Sequence, residues 1–418
     1  MTFSTDIPKV TIIGAGVSGL VAALKLEELG YQPTILEADD QVGGRVQTDI
    51  VEGYQLDRGF QVLLEAYPKA QEYLDYEALN LQRLDDGSLL FSSGTVSLFG
   101  DPRRNQRFLV PMLFSSQASL RDKWKIYQLN NSLAKKELQE IFSSPSQTTL
   151  SYLKDQGLSS RVIEAFFKPF FSGIFLEDQL ETSSRMFEFV FKMFGTGSAV
   201  IPKNGMGEIP NQLKHKLNHT TFRFGTCVKK VVGEEIALGS GEILHSDFTI
   251  IAANPNPIIP NYATSQQWRS CDNLYFTMDH RTIEEPIIGL NSTNEGLVNN
   301  FFFPTSIACE KKGSQELLSV TVVKDHSLAE EALITRVTHE LSEAFGIKNP
   351  SFLKRYHIKE ALPMLDDLQF TRDATEQLLT DRIALAGDYL LNGSLNAAME
   401  AGENAAYIAH ASPQNIKP

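Results

Sequence analysis

Cysteine is nearly absent. Three thiols, Cys227, Cys271 and Cys309, are spread over 418 residues and match neither a disulfide framework nor a metal-ligand spacing. A disulfide-stapled scaffold is excluded, and dispersed thiols in a reducing compartment are expected. A bilayer-crossing run is also missing. The most apolar stretch, VTIIGAGVSGLVAAL from Val10 to Leu24, is broken by three glycines and falls short of the ~20 residues a spanning helix needs. Basic excess is lacking too. The chain carries 38 Lys and Arg against 51 Asp and Glu, a formal charge of −13. That argues against a nucleic-acid partner held through its phosphates and against general adhesion to anionic membranes, although a local patch is not excluded. No basic stretch followed by an apolar core and cleavage site opens the chain, so a cytoplasmic location is expected. Eight histidines are scattered, with no Ser-His-Asp grouping, P-loop or metal-ligand spacing. What remains is an ordinary globular composition, 42 % hydrophobic and 21 % charged, on a chain too long for one simple core.

Glycine, by contrast, is placed with a pattern. KVTIIGAGVSGLVAALKLEELGY reads as strand, tight turn and helix, with Gly14, Gly16 and Gly19 at G-x-G-x-x-G spacing. Gly14 permits the turn, Gly16 lets a pyrophosphate approach the backbone, and Gly19 lets helix and strand pack. The expected cofactor-binding set here is Gly14, Ala15, Gly16, Val17, Ser18 and Gly19, at a helix N-terminus whose free N–H groups face the phosphates. The next strand, QPTILE, ends in Glu37, 23 residues after Gly14, near the position of a ribose-binding acid. A second glycine turn follows at once, Gly43-Gly44-Arg45. A nicotinamide cofactor needs nothing there. An extended FAD does, because more backbone must approach its ribityl chain and ring, and Arg45 can offset pyrophosphate charge or orient the flavin.

GAGVSGL…ILEADDQVGGR resembles the N-terminal signature of the FAD-dependent amine oxidase superfamily, which includes monoamine and polyamine oxidases, protoporphyrinogen oxidases and carotenoid desaturases. The resemblance implies that Gly59, Phe60 and Gln61 in YQLDRGFQV lie along the isoalloxazine. It also implies that IPKNGMGEIPNQLKHKL returns the chain to the cofactor domain and that the Val228 backbone meets the adenine. At the far end, RIALAGDYLLNGSLNAAMEAGENAA reads as a buried strand, a Gly387-Asp388 turn and a helix from Leu395. Its small and apolar positions recur at helical spacing. Asp388 is placed for a ribityl or phosphate-linked hydroxyl, and the N–H of Leu395 for the flavin's pyrimidine oxygen. With no cysteine near that turn, the FAD is expected to be non-covalent.

The implied fold class is α/β, an FAD-binding Rossmann-like domain of glutathione-reductase type interwoven with an α+β substrate-binding domain. The expected division is cofactor segments 1–87, 200–269 and 356–418, a largely helical substrate segment 88–199, and a stranded one 270–355. The aromatic run RVIEAFFKPFFSGIFLE and the later NNFFFPTS suggest walls for a large apolar or planar molecule, with Phe170, Phe171 and Phe303 as candidate contacts. RFLVPMLF (107–114), beside Arg103, Arg104 and Arg107, is a candidate peripheral membrane lip, with a plain helix-to-loop transition as the alternative. Many amine oxidases carry a lysine on the first strand after residue 270. DNLYFTMD has none, and Lys324 and Lys359 fall at the ends of other predicted elements. The expected activity is thus dehydrogenation of an apolar substrate by hydride transfer to flavin N5, as in protoporphyrinogen oxidases and phytoene desaturases, with O2 or a quinone as acceptor. Three alternatives stay open: an O2-using amine oxidase, a non-redox FAD-dependent isomerase, and a prenyl-protein carrier of the GDP-dissociation-inhibitor type without FAD.

Overall fold

Short strands rich in β-branched residues need cover on both faces, and here they receive it. Val10–Ile13 and Phe248–Ile251 are buried along their whole length, as a central parallel strand requires. In this computed structural model, which describes residues 7–412 other than 93, 103, 110–116, 261, 263–265 and 294, they form the middle of a six-stranded sheet. Its order is Thr221–Arg223, Thr34–Leu36, Val10–Ile13, Phe248–Ile251, Ile383–Leu385, Leu378–Thr380. All neighbours are parallel except the last pair. The chain order reverses on the two sides of Val10–Ile13, so a crevice opens at the carboxyl ends of these strands.

Two helices lie together against this sheet, Val17–Glu28 and Leu395–Ala411. They approach so closely that a Cβ on Gly402 would meet the carbonyl oxygen of Ser18 at 2.2 Å. The α/β reading of this part holds, including the strand–turn–helix at each end of the chain.

The second sheet has seven strands in the order Ser351–Pro363, Trp268–Met278, Glu316–Val322, Val298–Phe302, Ile288–Asn291, Gly87–Ser92, Thr95–Gly100. Its members come from three separate stretches of sequence. The strand Ser351–Pro363 pairs with Trp268–Met278 along its length, so residues 356–363, expected with the cofactor segments, belong to this sheet. One face packs on the helix Glu330–Phe345, which the strand-only reading of 270–355 did not anticipate. Leu333, Val337 and Leu341 recur on its buried side, and Gly346 ends it in the left-handed region at φ 69°.

The other face of the sheet looks toward a layer of helices: Leu120–Lys135, Leu138–Ser143, Thr149–Asp155, Lys168–Phe175 and Ser184–Thr196. Lys168–Phe175 carries Phe170, Phe171 and Phe175 of the predicted aromatic run, and Ser184–Thr196 adds Phe187, Phe189, Phe191 and Phe194, which the sequence reading does not single out. Ahead of Lys168 the helix passes through a π-helical turn, Ile163–Phe167, a local widening often found beside functional sites.

Candidate functional site

A cavity of about 1400 Å³ runs from the crevice in the parallel sheet to the space between the seven-stranded sheet and the helical layer. It meets the predicted cofactor residues at one end and the aromatic helices at the other.

At the first end the two glycine turns are one structure. Gly43 N–H donates to the Ala15 carbonyl at 2.9 Å, and Gly16 and Gly43 form an isolated parallel bridge. Glu37 closes the arrangement from beside the strand. Its carboxylate accepts from the N–H of Ala15 at 2.6 Å and of Asp39 at 2.9 Å. Gly16 has ordinary extended backbone, φ −69° and ψ 176°, and a Cβ built on it would meet nothing within 4 Å. Neither strain nor packing therefore accounts for glycine at this position. The empty volume it preserves lies inside the cavity, where any side chain would protrude.

Arg45 leaves this turn and crosses to Asp388, with which it makes an ion pair, while donating to the Ala361 carbonyl at 3.2 Å. Its guanidinium lies 5.2 Å from the ring centre of Trp268. Burial opposes its charge, but Asp388 and then Glu360 outweigh that and hold its pKa above the ordinary value. Gln61 ties the opposite wall by donating to the carbonyls of Arg45 at 2.9 Å and Arg58 at 3.1 Å. Ser394 caps the helix Leu395–Ala411 by accepting from Ala397 N–H, so that helix is held with its N-terminus on the cavity.

Of the predicted cofactor residues, Gly14, Gly16, Val17, Ser18, Glu37, Gly43, Gly44, Arg45, Gly59, Phe60, Gln61, Gly387, Asp388 and Leu395 line the cavity. Ala15 and Gly19 stand behind them, fully packed against the strand and turn. Val228 opens the strand Val228–Val232 in a separate three-stranded sheet and packs into the core with Ile236 and Leu238. Trp268 and Tyr389 are among the lining residues that no motif announces. The buried Tyr389 hydroxyl has no hydrogen-bond partner among the described residues, and burial holds its pKa well above the ordinary value.

At the second end, Phe166, Phe170, Phe191 and Phe194 form an aromatic wall. Phe166 and Phe170 are stacked at 5.4 Å, and Phe99 approaches Phe166 at 4.4 Å. Phe171 is elsewhere. One helical step is about 100°, and this turns it into the core against Phe175 and Phe187, fully buried. Phe303 is also displaced from the wall. Strand alternation sends Phe301 and Phe303 to the core beneath the sheet, whereas Asn300 lines the cavity and Phe302 packs into the core on that other face.

The floor between the two ends carries a neutral polar network, with Arg269 and Glu360 of the same sheet also lining the cavity. Asn300 Nδ2 donates to Thr321 Oγ1 at 3.3 Å, and Thr321 Oγ1 donates to Asn273 Oδ1 at 3.2 Å. Cys271 also lines the cavity, its thiol pushed up to about 12 by burial and then by Asp272, so it stays protonated and unreactive. No lysine occurs in the strands Trp268–Met278, Ile288–Asn291, Val298–Phe302 or Glu316–Val322. Among the charged groups at the helical end, Asp86 pairs with Arg104 at 3.2 Å and Asp85 with Arg107.

Comparison with known proteins agrees with this geometry. The family model described as flavin-containing amine oxidoreductase matches residues 17–409. Protoporphyrinogen oxidase 2, chloroplastic/mitochondrial, of Arabidopsis thaliana is 28 % identical over 165 residues, covering 40 % of this chain and 32 % of that protein. Polyamine oxidase 4 of Oryza sativa subsp. japonica is 46 % identical over 52 residues, 12 % of this chain and 11 % of the relative. These curated relatives are thus matched over less than a third of their length. Among solved structures, a candidate protoporphyrinogen oxidase from Exiguobacterium sp. 255-15 aligns with a TM-score of 0.71 at 16 % identity, over 96 % of this chain and 98 % of that one. Cyclohexylamine oxidase from Brevibacterium oxydans IH-35A gives 0.68 at 16 %, over 96 % and 99 %. At such identities the likeness establishes the fold.

Proposed function

The chain belongs to the flavin-containing amine oxidoreductase family, and within it we propose an FAD-dependent dehydrogenase of an apolar, planar small molecule, nearest in chemistry to protoporphyrinogen oxidases and phytoene desaturases. The observation that carries this reading is the contrast across the cavity: an aromatic wall of Phe166, Phe170, Phe191 and Phe194 faces neutral Asn300, Thr321 and Cys271, with no lysine on the three strands that carry them.

The cradle suits FAD. Gly16 leaves room for the pyrophosphate at the N-terminus of the helix Val17–Glu28, and Glu37 stands where a ribose hydroxyl can take one of its hydrogen bonds. Arg45 and Asp388, paired across the opening, would take up the diphosphate and the ribityl hydroxyls. The unpartnered Tyr389 hydroxyl and the N-terminus at Leu395 supply further polar contacts on the same side. A flavin held by these residues would supply the two-electron acceptor of the reaction. The residues around it bind, orient and exclude water. The aromatic wall holds a flat substrate by area and stacking, and the Asn300–Thr321 floor offers it neutral hydrogen bonds. Neither supplies a base or a counter-ion for an ammonium group.

Anaerobic mixing of the holoprotein with porphyrinogen or polyene substrates, and separately with primary and secondary amines, tests the reading. The expected result is bleaching of the flavin by the apolar set alone, with slow return in oxygen and fast return with a quinone. Bleaching by amines followed by rapid reoxidation in oxygen would overturn it and assign an amine oxidase.

A further inference from the structure

The expected membrane lip at 107–114, beside Arg103, falls largely on residues outside those described. The described part of the substrate end has a feature of its own, the seam where the aromatic wall meets the floor. Phe166, Phe170 and Gly173 follow one another at i, i+4 and i+7, and all three line the cavity. At Gly173 the helix Lys168–Phe175 touches the strand Val298–Phe302. A Cβ there would lie 3.0 Å from both Asn299 Nδ2 and Asn300 Oδ1. The backbone itself does not require glycine, since Gly173 has no positive φ and sits inside the helix, where alanine is the more favourable residue. Close approach is what the missing side chain provides. Asn300 lines the cavity too, so the seam is one corner of the space a substrate would occupy.

Polar ties hold the seam closed. Asn299 Nδ2 donates to the Pro169 carbonyl at 3.1 Å and to Asn300 Oδ1 at 2.8 Å, so one amide joins the wall helix to the floor. Asn300 passes the connection to Thr321, and Thr321 passes it to Asn273, on two further strands. A second tie lies about one turn earlier, in the π-helical stretch, where Ser292 Oγ donates to the Ala165 carbonyl at 2.6 Å. Asn273, Asn300 and Thr321 are 0, 2 and 4 % exposed, so a partner lost there is not replaced by bulk water. Hydrogen bonds weaken steeply away from their preferred length and angle. A wall tied at Ala165 and Pro169 therefore keeps one separation from the floor.

We propose that Gly173 and Asn299 set this separation and thereby select flat molecules over puckered ones of the same skeleton and polarity. The inference rests on the reading that the aromatic wall meets the substrate. Gly173 is then a specificity-determining residue, because a molecule in this corner meets its backbone. Asn299 acts through the helix it holds and is a positioning residue. An aromatic ring presents only its π faces to wall and floor, whereas a saturated ring carries hydrogens above and below and is thicker.

The test is equilibrium dialysis of the holoprotein, at neutral pH, against 2-naphthol and against 5,6,7,8-tetrahydro-2-naphthol. The two share a hydroxyl and a carbon skeleton and differ in whether the second ring is flat. The wild type should hold 2-naphthol about fivefold more tightly. Gly173→Ala, which must open the seam by a few tenths of an ångström, and Asn299→Ala, which unties it, should each bring the ratio close to one while keeping flavin content. Asn299→Ala adds no volume to the seam and decides the matter alone if Gly173→Ala does not fold. Stacking on phenylalanine by itself would favour the flat ring in the variants as well, so a folded variant that keeps the wild-type ratio would overturn the proposal. Equal binding of the two probes by the wild type, or binding of neither, would overturn it too. No oxidation enters the measurement, so a failure of the assigned reaction class, read from flavin bleaching, is distinguishable from a failure of the seam.

Discussion

The two ends of the cavity are built in different ways. Around Gly16, Gly43 and Gly387 the lining is largely backbone, and the few side chains that enter, Glu37, Arg45 and Asp388, are tied to that backbone or to each other. Around Phe166 and Phe170 the lining is side chains hung on helices that also supply the core. The first end tolerates little change of chain path and much change of neighbouring side chains. The second end can be re-cut by single substitutions without disturbing the cofactor. A family that keeps one cofactor and varies its substrate would be expected to divide its labour this way.

The sharpest way to break the contrast is in adjacent residues of one helix. Phe171→Ala removes a fully buried ring from the core and should cost about 3–5 kcal/mol of stability, read from a denaturant transition. Almost as large an effect, of a different kind, belongs to Gly16→Val. A Cβ there would meet no protein atom within 4 Å, so the cofactor-free protein should lose only about 1 kcal/mol, from valine being a poorer helix N-cap than glycine. Flavin affinity should nevertheless fall on the order of a hundredfold, about 3 kcal/mol, in a titration of the stripped protein. Equal loss of stability and of flavin would show that Gly16 is needed for folding and not for the cradle.

A pH-dependent effect of intermediate size is expected at Asp57, just before the Gly59–Gln61 segment. Desolvation pushes its carboxyl from 3.8 up to about 6, against hydrogen bonds from Thr48 and the Met206 N–H. The folded state therefore holds this proton more tightly than the unfolded chain. The stability contributed by the protonated acid is complete below the unfolded pKa and is lost as pH rises through about 6. Asp57→Asn, whose amide oxygen can accept the same two hydrogen bonds, should match wild type near pH 4. Near pH 8 it should gain about 2–3 kcal/mol, and thermal melts at the two pH values read the difference. The smallest effect concerns Phe170→Ala, at the cavity wall. It should leave flavin content intact and raise KM for an apolar substrate roughly tenfold. An unchanged KM would move the substrate away from this wall.

Legibility in the sequence followed the same division. A glycine turn between a strand and a helix has few solutions, so G-A-G-V-S-G, Glu37 and Gly43-Gly44-Arg45 could be placed together before any coordinates, and the helix at Leu395 joined them from the far end of the chain. The seven-stranded sheet is partly readable as strands, whereas the helix Glu330–Phe345 sits inside a stretch that reads as strands, its Leu333, Val337 and Leu341 repeating at helical spacing. Phe171 and Phe303 show what composition cannot resolve: adjacent phenylalanines differ by a helical step or a strand alternation, and only the register of the element decides which one meets the cavity. Trp268, Tyr389, Asn300 and Thr321 reach the site through long-range strand pairing and a turn, and no local pattern marks them.

The most direct measurement is the visible spectrum of the purified protein, followed by identification of whatever denaturation releases. The expected result is a yellow protein yielding FAD in one-to-one ratio with the chain. A colourless protein that takes up no FAD when stripped and reloaded, or one that releases a nicotinamide dinucleotide, would contradict the reading of the two glycine turns as a single flavin cradle.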